Sequence, residues 1–152
     1  MTDPSPPDLN EFVQKMQQIM IEDATRVYGE RVVALWLKPR NRMALDNPDG
    51  HACFTGPCGD TMEIFVRIEE DRVEQATFLT DGCGPTLAAG STVTDIARGQ
   101  RVPDAQDIDE KAVLDALGGL PEESRHCAKL AADVLRMALE DYKNRRGDAE
   151  TR

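Results

Sequence analysis

The chain has 152 residues, a formal net charge of −10 and four cysteines. That length suits one domain able to bury a core without covalent staples, and the longest uninterrupted apolar run, residues 32–37, is too short to cross a bilayer. Lysines and arginines are scattered among the acids, which argues against a nucleic-acid partner and leaves a positively charged protein surface as the complementary one.

Residues 1–8 hold Pro4, Pro6 and Pro7 without an apolar pattern and are expected to be disordered. They are acidic rather than basic-then-apolar, so no export signal is read and a cytoplasmic location is expected. Phe12, Val13, Met16, Ile19, Met20, Ala24 and Val27 recur at three- and four-residue steps, which predicts an amphipathic helix weakening near Gly29, within an N-terminal helical extension over 9–31. A second helical stretch, 32–37, ends at Pro39. Residues 41–50 read as a loop, with Asn47-Pro48-Asp49-Gly50 as a turn.

From Thr61 the period changes to two. Met62, Ile64, Val66 and Ile68 alternate with Glu63, Phe65, Arg67 and Glu69, and after Glu70-Asp71-Arg72 the chain returns over 73–80 as the second arm of a β-hairpin. Residues 51–55 supply a third, antiparallel strand. Beyond Gly84 the pattern is helical. Pro85 suits a first helical position and Gly99 a stop; Asp107 or Asp109 caps a helix that runs out at Gly118-Gly119; Pro121 opens the last and longest helix. On that helix Cys127, Leu130, Ala131, Val134, Leu135, Ala138 and Tyr142 form one stripe, and residues 144–152 read as a flexible charged tail.

Three cysteines stand in contexts that suit an accessible thiolate: Gly56-Pro57-Cys58-Gly59-Asp60, Asp81-Gly82-Cys83-Gly84-Pro85 and Arg125-His126-Cys127, spaced 25 and 44 residues apart. No Cys-x-x-Cys pair occurs, so the zinc-ribbon, thioredoxin-like and ferredoxin spacings are excluded, and a reducing cytoplasm disfavours disulfides. Any site using these thiols must be gathered by the fold. Cys83 immediately precedes a predicted helix start, where free N–H groups favour the thiolate. Asp60 offers a harder, more weakly held ligand for iron or zinc, and His126 a further ligand or a proton carrier. Cys53, His51 and Trp36 have plain readings as a small buried hydrophobe in a strand, a strand-start polar residue and a core aromatic. Asp60 taken alone is a turn former.

Gly-Pro-Cys58-Gly-Asp60, Asp-Gly-Cys83-Gly-Pro-Thr-Leu-Ala-Ala-Gly-Ser91, Leu120-Pro121, His126-Cys127-Ala-Lys-Leu130-Ala131 and Ala138-Leu-Glu-Asp-Tyr142, with Pro39-Arg40-Asn41 before them, resemble the U-type iron–sulfur cluster assembly scaffolds, the NifU N-terminal or IscU-like family. The resemblance covers 32–143, the expected scaffold domain. It implies an α+β fold with a three-stranded antiparallel sheet and helices packed on one side, to which this chain adds an N-terminal amphipathic helix. It further implies a scaffold and carrier rather than a turnover enzyme, which receives sulfur from a cysteine desulfurase, assembles a [2Fe–2S] cluster and passes it to apo iron–sulfur proteins. Carried over by position, Cys58, Cys83 and Cys127 would be ligands, Asp60 the residue that keeps the cluster labile, His126 an alternative ligand and Cys127 the persulfide acceptor. Zinc accepts the same ligands and could occupy the site in purified protein.

Three departures from the family pattern matter, the added N-terminal amphipathic helix being one. The family's chaperone-recognition segment, Leu-Pro-Pro-Val-Lys in many members, reads Leu120-Pro121-Glu122-Glu123-Ser124 here, which loses the lysine, adds two acids and argues against an Hsp70-type chaperone. Cys53 is an extra thiol. The alternatives are a zinc-bound sulfur-transfer partner of a desulfurase, which typically carries an insertion between its second and third cysteines, and a structural zinc-binding interaction domain, which needs four strong ligands. Cysteine-nucleophile hydrolysis lacks an orienting partner for His126.

Overall fold

The computed structural model describes residues 8–82 and 84–150, the last three as backbone only. Two helices lead: α1 (Leu9–Tyr28), whose Asp8 side chain accepts a hydrogen bond from the Asn10 N–H, and α2 (Glu30–Leu37). Gly29 separates them at φ 90°, a backbone angle that favours glycine. Three strands follow, β1 (Gly50–Thr55), β2 (Thr61–Glu69) and β3 (Arg72–Thr80), then α3 (Gly84–Ala97), α4 (Val102–Gln106), α5 (Glu110–Leu117) and α6 (Arg125–Glu150). Among these residues no helix is long and apolar enough to cross a membrane.

The sheet is antiparallel in the order β1-β2-β3. Gly50, Ala52 and Phe54 pair with Val66, Ile64 and Met62, and Ile64 pairs in turn with Phe78, so the period-two pattern puts one apolar set on one face. The turn between β2 and β3 is Glu70-Asp71, both residues at positive φ (51° and 63°), which matches the right-handed twist of the strands. Arg72, expected in the turn, already belongs to β3.

Helices α3 and α6 pack on the apolar face, where Met62, Ile64, Val66 and Phe78 meet Val93, Val134, Leu135 and Leu139, all fully buried. Burial of each such side chain contributes about 1.5–3 kcal/mol. Close approach depends on glycine: a Cβ on Gly90 of α3 would stand 2.5 Å from the Phe78 ring, and one on Gly50 would collide with the Ala138 carbonyl of α6. The predicted α6 stripe is buried from Cys127 to Ala138.

The structure adjusts three local expectations. Pro121 precedes a single 3-10 turn, Glu122–Ser124, and α6 opens at Arg125, because a proline fixes its own backbone angle without extending the turn into an α-helix. Helix α4, with Pro103 near its start, is too short to show a period of its own. Backbone hydrogen bonding carries α6 past Asn144, where the apolar stripe has ended, to Glu150. In α1, Ile21, Ala24 and Thr25 are half-buried, while Leu9, Phe12, Val13, Met16, Ile19, Met20 and Val27 are exposed.

Candidate metal centre

Three chain reversals meet at one end of the molecule. The β1–β2 hairpin closes through the pair Thr55–Thr61, whose hydroxyls are 2.7 Å apart, leaving Gly56 to Asp60 as its loop. That loop is fixed from within by Gly56 N–H to the Asp60 carbonyl (2.8 Å) and Gly59 N–H to the Gly56 carbonyl (3.0 Å), with Gly59 at φ 92°. It presents Cys58 exposed and Asp60 half-buried. The end of β3 is tied to the same hairpin, because Thr61 N–H donates to Asp81 Oδ1 (2.8 Å) and Thr80 Oγ1 donates to the Thr61 carbonyl (2.5 Å). The turn after β3 and the first turn of α3 therefore stand beside Asp60. The first turn of α6 supplies His126 and Cys127.

One ligand atom each from Cys58, Asp60 and His126 lies within 4.8 Å of the other two. Tetrahedral ligands at about 2.0–2.3 Å from a metal stand roughly 3.3–3.8 Å apart, so small side-chain rotations close this set around one ion. Cys127 borders it: its Sγ is 3.6 Å from His126 Nε2 and 3.4 Å from Thr86 Oγ1, and the residue is 4% exposed. The access expected of both thiols is found at Cys58, which is exposed, and not at Cys127, which the apolar stripe of α6 draws to the edge of the core. A cavity of about 230 Å³ adjoins Cys58 and His126, lined also by Phe54, Pro57, Lys129 and Leu130 among others. The donor set of sulfur, carboxylate and imidazole suits zinc or iron rather than magnesium or calcium.

Of the residues singled out in the sequence, Cys58, Asp60, His126 and Cys127 are brought together. Cys83 lies outside the described residues. Cys53 is not buried as expected but exposed on β1, where the strand's alternation places it opposite Glu63, and His51 pairs with Glu63 at 2.5 Å. Trp36 is half-buried, edge-on to Tyr28. Sequence reasoning missed Thr86, whose Oγ1 donates to Asp60 Oδ2 at 3.0 Å; only its place four letters after Gly82 pointed to this end.

A three-stranded antiparallel sheet with helices on one face, and a candidate metal-ligand group of Cys58, Asp60 and His126 at one end, define a small α+β domain. Residues 27–149 match the NifU-like N terminal domain family, and the chain belongs to that family. It is 38% identical over 122 residues to iron-sulfur cluster assembly scaffold protein IscU 1 of Archaeoglobus fulgidus, covering 80% of each chain. It is 36% identical over 124 residues to IscU of Escherichia coli K12, covering 78% of this chain and 96% of that one. The fold is shared with the N-terminal NifU-like protein of Brucella abortus (TM-score 0.62, 17% identity, 79% of this chain and 96% of that one). It is also shared with a protein of Fervidobacterium islandicum AW-1 (TM-score 0.63, 14% identity, 76% and 98%).

Proposed function

We propose that this chain is an iron–sulfur cluster assembly scaffold, which takes sulfur from a cysteine desulfurase, builds a [2Fe–2S] cluster on Cys58, Cys83 and Cys127, and hands it to apo-proteins. The observation that carries the reading is the convergence of Cys58, Asp60 and His126 within 4.8 Å of one another, with Cys127 alongside. Relatives at 36–38% identity named as scaffold proteins support it.

Sulfur and iron are cargo here. In sulfur delivery the Cys127 thiolate attacks the outer sulfur of a desulfurase persulfide; a new S–S bond forms, the old one breaks, and the desulfurase cysteine leaves as thiolate. Reducing two carried sulfurs to sulfide takes four electrons and breaks each S–S bond back to a cysteine thiolate; two come from the two ferrous ions as they become ferric, and two from a dithiol or a ferredoxin. His126, 3.6 Å from Cys127, stands where it can take the thiol proton. Asp60 supplies a ligand that water or an acceptor thiol displaces more readily than a thiolate, so a cluster held there remains transferable.

The test is anaerobic reconstitution with ferrous iron, cysteine and a desulfurase, read by visible absorption and by iron and sulfide analysis. Equal iron and sulfide with cluster absorbance is expected, lost in serine variants of Cys58, Cys83 or Cys127. Tight zinc binding with no cluster under any of these conditions would favour the zinc-bound sulfur-transfer reading.

A further inference from the structure

We propose that Thr86 is a positioning residue of this metal centre: its hydroxyl holds one oxygen of Asp60, turning the other toward the metal beside Cys127. The proposal rests on the reading above only in taking Asp60 and Cys127 as metal-site residues.

Thr86 is 1% exposed in the first turn of α3, so water does not satisfy its hydroxyl. Elsewhere in this chain Thr25, Ser91 and Thr94 turn their hydroxyls back to the carbonyl four residues earlier, the ordinary resting place for such a group in a helix. Thr86 stands in the first turn, where the residue four earlier, Gly82, precedes the helix, and its hydroxyl reaches across to a different element. Its Oγ1 lies 3.0 Å from Asp60 Oδ2 and 3.4 Å from Cys127 Sγ, so one atom touches both the hairpin loop and α6. A hydroxyl has one proton and two lone pairs; with its proton given to Asp60 it accepts from the Cys127 S–H through a lone pair while Cys127 is a thiol.

The group is also well anchored. A Cβ on Gly82 would stand 2.7 Å from Thr86 Cβ, so the turn before α3 is packed directly against the threonine. A fixed donor on one carboxylate oxygen restricts rotation of the carboxylate and leaves the other oxygen to bind in one direction. Partners that orient a ligand in this way typically change metal affinity 10–100-fold when removed.

The experiment uses the full chain and Zn²⁺ as probe, with affinity measured by competition against a chelating indicator and the ligand field read from Co²⁺ absorption. Thr86→Val keeps the shape and removes the hydroxyl; it should weaken Zn²⁺ binding about 10-fold and alter the Co²⁺ bands. Thr86→Ser should restore both. In an Asp60→Ala background, Thr86→Val should have no further effect, because the group it orients is gone. Should Thr86→Val fail to fold, Thr86→Ala gives the same comparison. Wild-type affinity in the folded valine or alanine variant, or the same loss with and without Asp60, overturns the proposal. Failure of cluster reconstitution alongside Thr86-dependent Zn²⁺ affinity would instead remove the scaffold reading and leave this one standing.

Discussion

The ring of Trp36 lies directly on the backbone of Gly84: a Cβ added to Gly84 would stand 2.6 Å from Trp36 Cδ2 and Cε3. Helix α2 is thereby packed onto the first residue of α3, which follows Cys83 in the chain. The contact explains why Gly84 is needed even though its backbone angle is one that any residue adopts.

Gly84→Ala is expected to destabilise the fold by about 1–3 kcal/mol, since the fused ring of Trp36 has no flexible end to yield. The thermal midpoint should fall by several degrees. Trp36 is the one tryptophan of the chain, so its emission reports the displacement directly. An unchanged spectrum and midpoint would show that α2 does not bear on the start of α3.

Asp60→Ala should lengthen the life of a reconstituted cluster and slow its transfer to an apo-ferredoxin, although it weakens Zn²⁺ binding. On the proposed reading the carboxylate would be the ligand most easily displaced at iron, and His126 stands within the same 4.8 Å set to take its place. If Asp60 were only a turn residue, the substitution would cost about 1 kcal/mol of stability and leave cluster lifetime unchanged. Decay of the visible absorbance and the transfer rate separate these outcomes.

Cys127→Ser should abolish persulfide acceptance from a desulfurase, whereas Cys53→Ser should retain it. Cys127 is set on a helix with His126 and Thr86 beside it, while Cys53 lies on a strand opposite Glu63. Mass spectrometry of trapped persulfides reads the difference, and equal loss in both variants would refute the assignment.

Asp109→Ala should cost about 1 kcal/mol through loss of the α5 cap, where the Asp109 carboxylate accepts from the Ala112 N–H at 2.9 Å. Among the described residues, Cys58, Asp60, His126 and Cys127 take no part in this cap. Denaturant unfolding should therefore report a lower midpoint with unchanged Zn²⁺ affinity, which makes the variant a control for stability effects.

The sequence by itself determined the sheet, the major helices and most of the residues that meet at the site. Alternation from Thr61 to Thr80 is local and strictly periodic, so strand identity and core face follow from the pleat alone. The burial of Cys127 followed from its place on the α6 stripe. Asp109 could be proposed as a cap because capping acts within one helical turn.

Tertiary structure decided what depended on neighbours distant along the chain. Thr86 and Asp60 are 26 residues apart, and Trp36 and Gly84 are 48 apart; neither contact leaves a period or motif to read. The reach of Glu70-Asp71 into positive φ was likewise imposed by hairpin twist rather than announced by glycine. Short-range preferences choose elements, but which polar groups face each other is set by how those elements pack. For that reason the candidate ligand types could be named from the sequence, while the hydroxyl proposed to orient Asp60 could not.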